Sequence, residues 1–100
     1  MLEASIVSAI RARVKRKGGK CYKLHGSAFG VAGAPDLIGC YHGQPFAVEV
    51  KQPGRGATVI QRRELDEWRA QGWVSGVAHS VDEFEALFAA PGRDTAKKEG

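Results

Sequence analysis

Three charged side chains lie next to two short apolar runs, and two carboxylates with a lysine are residue types suited to phosphate chemistry. Asp36 precedes the first run, residues 37–41, whereas Glu49 and Lys51 lie at the end of the second, residues 46–50. A Gly- and Pro-containing segment separates the runs, which is typical of a β-hairpin. Because side chains alternate faces along a strand, Glu49 and Lys51 share one face. The spacing therefore predicts two acids and a lysine at one end of a hairpin.

The position of Asp36 depends on the register of this hairpin. If the turn is centred on Gly43-Gln44, Asp36 lies opposite Lys51 and diagonal to Glu49. A slip of one residue in the pairing would move Asp36 to the opposite face of the sheet. The convergence of the three side chains is thus an expectation about register.

A metal site and a salt bridge both account for this cluster. Half-buried charges need partners, and carboxylate oxygens suit Mg²⁺ or Mn²⁺, which usually take one or two protein carboxylates and complete their shell with water and phosphate. Lys51 would then contact the same phosphate. A plain ion pair between Lys51 and one of the acids explains the spacing equally well.

The ordered set of residues resembles a known nuclease signature. Pro35-Asp36, followed thirteen residues later by Glu49-Val50-Lys51, is similar to the PD-(D/E)xK motif. More narrowly, the Gly33-to-Leu37 segment, the Phe46-to-Lys51 strand and the helix carrying Gln61 resemble the virus-type replication and repair nucleases, the VRR-NUC domain. The resemblance covers the chain from residue 3 to about residue 87.

The resemblance implies a Mg²⁺- or Mn²⁺-dependent DNA endonuclease. It implies that Asp36, Glu49 and the main-chain carbonyl of Val50 hold the metal, and that Lys51 orients or activates the attacking water. It further implies that Glu3 completes the metal site directly or through a water and that Gln61 reaches the site. Branched DNA, such as a Holliday junction or a flap, a role in DNA repair and a homodimer, with or without swapped elements, are implied as well.

Composition limits the organisation and the partners of the chain. One hundred residues suffice for a single domain, expected over residues 1–90, and the charged tail 91–100 lacks large apolar residues and is expected to be disordered. The balance of 15 basic and 11 acidic residues gives a net charge of +4, which favours a polyanionic partner. The expected nucleic-acid contacts are Arg11, Arg13, Lys15, Lys20, Lys23, Ser27 and Arg55.

Other functional classes compete with the nuclease. The basic end of the first helix is also explained by the helix dipole, and a catalytically inert nucleic-acid-binding module would use the same cations. A zinc site from Cys21, His25, Cys40 and His42 has the right ligand types, but its spacings fit no common zinc pattern. The chain also lacks the G-x-x-x-x-G-K-[ST] pattern, so no nucleotide cofactor is expected.

Location follows from what the sequence does not contain. There is no leader segment and no apolar run approaching the ~20 residues of a membrane span, so we expect a cytoplasmic protein of bacterial or viral type, without membrane contact. In that compartment both cysteines are expected to be reduced.

Periodicity predicts the order helix, three strands, helix, strand, helix, which is an α/β (α+β) class with a mixed sheet flanked by helices. The resemblance implies the same, as a restriction-endonuclease-like core. The first helix is expected over residues 2–17, and the second begins at a T-x-x-Q capping box, Thr58 to Gln61. Gln61 is expected either to cap this helix or to reach the site, because one side chain can hardly do both.

Overall fold

The computed structural model of the chain describes residues 2–25 and 30–89. The order of its elements is the predicted one, and each boundary lies within a few residues of the expected position. The elements are α1 (Glu3–Arg16), β1 (Lys20–Lys23), β2 (Leu37–Tyr41), β3 (Gln44–Val50), α2 (Val59–Ala70), β4 (Val74–Ala78) and α3 (Val81–Leu87). Ser27 and the tail 91–100 lie outside the described residues.

The four strands form one mixed sheet in the order β1-β2-β3-β4. The first three strands are antiparallel, whereas β4 runs parallel to β3 after the crossover through α2. Helices α1 and α3 pack on one face of the sheet, and α2 packs on the other, over β3 and β4. The predicted fold class, a mixed sheet flanked by helices, is confirmed.

The core lies between the sheet and helices α1 and α3. The apolar positions of α1 that recur every four residues, Ile6, Ile10 and Val14, are almost fully buried. They pack with inward-facing side chains of β2, β3 and β4 and with Phe84 of α3. The apolar core is therefore on one face of the sheet, and the opposite face, on which α2 packs, can carry polar side chains.

The hairpin turn differs from the predicted one. His42 and Gly43 form the turn, with φ angles of 54° and 73°, so that Tyr41 pairs with Gln44 and Leu37 with Val48. Both φ values are positive, as in the type I′ turns that match the twist of a two-residue hairpin. The expectation that Asp36 lies opposite Lys51 is therefore wrong, because continuing the observed register places Asp36 beside Glu49. The pairing is displaced by two positions, which leaves Asp36 on the expected face.

Gly39 sets how closely β1 approaches β2, and its replacement should be costly. A Cβ atom at this position would clash with the main-chain oxygen of Lys20. Relief of that clash requires movement of a paired strand, so we expect Gly39→Ala to reduce the free energy of unfolding by about 3 kcal/mol in urea denaturation.

Gly43→Ala is the matched control. A Cβ atom there meets nothing within 4 Å, so only the positive φ opposes the substitution, at a cost of about 1 kcal/mol. Equal losses for the two variants would contradict the close approach at Gly39.

The described residues contain no helix long and apolar enough to cross a membrane. Both cysteines are free. Ile60, which the periodicity of α2 places on its apolar side, is 55% exposed and instead packs beside the backbone of Gly33.

Candidate active site

Glu49 is the buried charge around which the site is arranged. It lies on β3, a central strand, and only 3% of its surface is exposed. The Nζ atom of Lys51 is 3.7 Å from the Oε2 atom of Glu49, and the Nε2 atom of Gln61 donates a hydrogen bond of 3.0 Å to the same oxygen. The ion pair considered for the sequence is thus present, but it uses only one of the two carboxylate oxygens.

Asp36, directly before the first residue of β2, is held by a main-chain group of β3. Its Oδ2 atom accepts a hydrogen bond of 2.9 Å from the main-chain N–H of Val50. If the pairing of β2 with β3 continued in register, Val50 would lie opposite Pro35. The pairing stops before that residue, and the Asp36 carboxylate accepts the hydrogen bond from the Val50 N–H instead. Backbone groups of successive strand residues point to alternate sides, and the next N–H, that of Lys51, bonds to Ala78 on β4. The carbonyl of Val50 therefore points to the side on which Asp36 lies.

The second oxygen of Glu49 has no hydrogen-bond partner. The Oε1 atom is buried and unsatisfied among the described residues. Burial, followed by the negative charge of Asp36, raises the pKa of Glu49 to about 8, and the positive charge of Lys51 opposes this rise. A buried carboxylate beside a second carboxylate is costly unless a proton or a cation lies between them.

Gln61 performs both of the roles that the sequence presented as alternatives. Its Oε1 atom accepts a hydrogen bond of 2.9 Å from the N–H of Thr58, and the Thr58 hydroxyl accepts one of 3.1 Å from the N–H of Gln61. The amide nitrogen at the other end of the side chain reaches Glu49. The expectation that one side chain can hardly do both is wrong, because the two ends of the amide serve the two roles.

Glu3 acts on the site from a distance. It lies half-buried at the start of α1, and its charge is among the causes that raise the pKa of Glu49. Within residues 2–25 and 30–89, no three His, Cys, Asp or Glu side chains are arranged to hold a metal ion. Two carboxylates, one of them with an unsatisfied buried oxygen, and one main-chain carbonyl fit an ion that keeps several waters, as Mg²⁺ does.

The cations expected to contact nucleic acid are dispersed over the molecule. Arg11, Lys15 and Lys20 line one open groove between α1 and β1. Arg13 does not line it, because its Nη1 atom pairs with Glu85 at 3.2 Å. The ammonium of Lys23 bonds to the adjacent carbonyl of Leu24, and Arg55 is exposed on the loop that follows β3.

Sequence reasoning overlooked His79, which ties down the loop after the Lys51 strand. Its Nδ1 atom lies 2.7 Å from Glu83, and its Nε2 atom lies 2.6 Å from the carbonyl oxygen of Arg55. The carbonyl and then the Glu83 carboxylate raise the pKa of His79. The S-x-x-E capping pattern at Ser80 signalled the helix start, but nothing in the sequence indicated the contact with Arg55.

The zinc alternative finds no support in the geometry. Cys21 pairs with Gly39 and Cys40 with Lys20, so the two thiols project from opposite faces of the sheet. Burial raises the pKa of Cys21 to about 11, which favours the neutral thiol over the thiolate that binds zinc.

Comparison with known proteins agrees with the fold. No protein-family model and no curated protein sequence matches the chain. A solved structure described as a VRR_NUC domain superposes with a TM-score of 0.72 and 28% identity, covering 87% of this chain and 94% of that one. A second, described as a VRR_NUC domain protein, superposes with a TM-score of 0.68 and 22% identity, covering 89% and 86%.

The mixed sheet flanked by three helices matches the nuclease fold of these structures. The similarity to the two VRR_NUC structures extends over most of the chain, so the fold can be described more narrowly. Over most of its length, this chain has the fold of a VRR-NUC domain.

Proposed function

We propose that the domain is a Mg²⁺- or Mn²⁺-dependent DNA endonuclease that hydrolyses phosphodiester bonds. The observation that carries the proposal is the buried, half-satisfied Glu49 carboxylate beside Asp36, with Lys51 3.7 Å away. A structural ion pair alone would leave no reason to bury a second acid next to the first. A divalent cation between them would satisfy both.

Asp36, Glu49 and the carbonyl of Val50 are the groups that would hold the ion. Their chemistry fits, because hard oxygen donors suit Mg²⁺ and Mn²⁺. When bound, such an ion lowers the pKa of a coordinated water and neutralises charge on the scissile phosphate. The Val50 N–H holds Asp36 at 2.9 Å and so fixes one side of the site before any ligand arrives.

Lys51 and Gln61 act around the carboxylates. The Lys51 side chain is 17% exposed, so its ammonium has access to a bound phosphate and stabilises the negative charge that develops there. The same ammonium can orient the attacking water. Gln61, anchored at the first turn of α2, holds the Oε2 atom of Glu49 and leaves the Oε1 atom for the ion.

DNA is the proposed substrate, and branched DNA such as a four-way junction or a flap the preferred form. Specific DNA interfaces bury on the order of 1,000 Å² of protein, which is a large share of a chain that exposes 6137 Å² in total. A homodimer would provide two sites for two strands and a larger contact surface.

Cleavage of matched DNAs tests the proposal. The chain is incubated with four-way, flapped and linear DNAs of the same sequence in Mg²⁺, in Mn²⁺ or in EDTA. We expect hydrolysis with either cation, faster on the branched DNAs, and none in EDTA. Binding to all three DNAs without hydrolysis in either cation would instead favour an inert binding module.

Gln61→Glu separates the two roles of Gln61. The variant keeps the oxygen that accepts from Thr58, and Glu is itself common at this position of a capping box. It replaces the donor to Glu49 by a third negative group. We expect thermal stability within about 0.5 kcal/mol of the parent at pH 6, but at least tenfold slower Mg²⁺-dependent cleavage.

Thr58→Ala is the complementary control. It removes the hydroxyl that caps α2, at a cost of about 1 kcal/mol, but keeps the Gln61 amide that donates to Glu49. We expect lower stability with cleavage within about twofold of the parent at a temperature where both proteins are folded. A larger loss of cleavage in Thr58→Ala than in Gln61→Glu would contradict the assigned roles.

A further inference from the structure

An exposed aromatic ring lies on the sheet face that carries the carboxylates. Helix α2 packs on β3 and β4, and no described helix covers the half of this face formed by β1 and β2. Tyr22 on β1 is 60% exposed there, and Lys20 and Cys40 beside it are exposed as well. A ring this exposed adds little to the core, and its surface is available to a ligand.

The register of β1 and β2 places Tyr22 close to the site. Tyr22 pairs with Ile38, and the N–H of Leu24 donates a hydrogen bond of 2.8 Å to the carbonyl of Asp36. Asp36 therefore lies two residues before Ile38, the partner of Tyr22, on the same face and about 7 Å away along the strand direction. Two or three stacked nucleotides, at ~3.4 Å each, span that distance.

Three cations line a groove together with Tyr22 at the edge of the sheet. Arg11, Lys15 and Lys20 line, together with Tyr22, an open groove of about 410 Å³ along the edge strand β1. None of these three cations is placed in an ion pair with an acid of the described residues. A stacking ring beside a cationic groove is the arrangement by which proteins hold single-stranded nucleic acid.

We propose that Tyr22 determines substrate preference by stacking on an unpaired base of the DNA strand that enters the site. Arg11, Lys15 and Lys20 hold the backbone phosphates of that unpaired segment. Bases inside a duplex are already stacked on both faces, so the ring favours DNA that presents unpaired nucleotides next to the bond to be cut. This inference rests on the proposed nuclease function and adds to it the form of DNA that the surface selects.

Equilibrium binding of the full chain to two DNAs tests the proposal. One DNA is a blunt duplex, and the other is the same duplex with three unpaired nucleotides at one end, in both polarities and in EDTA. We expect the parent to bind the extended DNA roughly tenfold more tightly, Tyr22→Ala to abolish this preference and Tyr22→Phe to retain it. Val59→Ala, which removes a similarly exposed apolar side chain from α2, should retain it too.

Each result decides the matter. A parent without preference, a Tyr22→Ala variant that keeps it, or an equal loss of affinity for both DNAs in a variant with parental circular dichroism would overturn the role of Tyr22. Cleavage measured in parallel with Mg²⁺ separates this inference from the nuclease itself. Metal-dependent cleavage without a preference set by Tyr22 refutes only the stacking role, whereas such a preference without cleavage refutes only the nuclease.

Discussion

Asp36→Asn is expected to slow metal-dependent cleavage by about 10³-fold while leaving DNA binding intact. The substitution removes one of the two carboxylates that would hold the cation, and loss of a metal contact of several kcal/mol corresponds to that factor. The fold should persist, because the Asn side-chain oxygen can still accept from the N–H of Val50. Single-turnover cleavage and DNA-binding measurements on the same preparation check both expectations.

The same Asp36→Asn variant is expected to be more stable than the parent, although it cleaves more slowly. Asp36 raises the pKa of the buried Glu49, and an amide in its place removes the like charge and offers a donor. We therefore expect the metal-free variant at pH 8 to be at least about 1 kcal/mol more stable than the parent. A surface position with the same change, Asp66→Asn on α2, should alter neither cleavage nor stability by a comparable amount.

Three outcomes would contradict this account. If Asp36→Asn cleaved DNA at the parental rate, Asp36 would not be a ligand of the metal. Loss of cleavage together with loss of DNA binding would mean that Asp36 contributes to DNA binding. DNA binding that needs no metal, with function unchanged in the Asp36→Asn variant, would favour the inert binding module.

Metal binding is expected to be linked to a proton on Glu49. The pKa of Glu49 is raised to about 8 in the metal-free protein, so the carboxyl is largely protonated at neutral pH. A cation must displace that proton, and the affinity for Mn²⁺ should rise up to tenfold per pH unit below pH 8 and level off above it. Titration calorimetry in two buffers of different ionisation enthalpy should show release of about one proton at pH 7.

The same proton makes the metal-free protein less stable as the pH rises. The pKa of Glu49 is higher in the folded state than the ordinary value near 4.5, so the folded state holds the extra proton between these two values. Its contribution to stability is complete below about pH 4.5 and is lost as the pH rises through about 8, at up to ~1.4 kcal/mol per unit. Saturating Mn²⁺ should remove most of this slope.

Glu49→Gln is the control for the linkage, because it keeps the shape of the side chain but cannot ionise. Denaturation of this variant without metal should depend less on pH between 5 and 8 than that of the parent. A parental slope in Glu49→Gln would assign the titration to another group.

The amino-acid sequence by itself determined the elements and the residue types of the site. Periodicity in α1, the capping box at Thr58 and the two apolar runs of the hairpin are local patterns, and each was sufficient to place its element within a few residues. The order of Asp36, Glu49 and Lys51 along the chain was sufficient for the nuclease resemblance, because motif order does not depend on register.

Tertiary structure alone decided how these residues meet. The positive φ angles of His42 and Gly43 moved the pairing so that Asp36 lies beside Glu49 and not opposite Lys51. The burial of Glu49 comes from strands on both sides of β3, and its contact with Gln61 comes from the packing of α2 on the sheet. Register and burial depend on neighbours that are distant in the chain, and for this reason no local pattern could supply them.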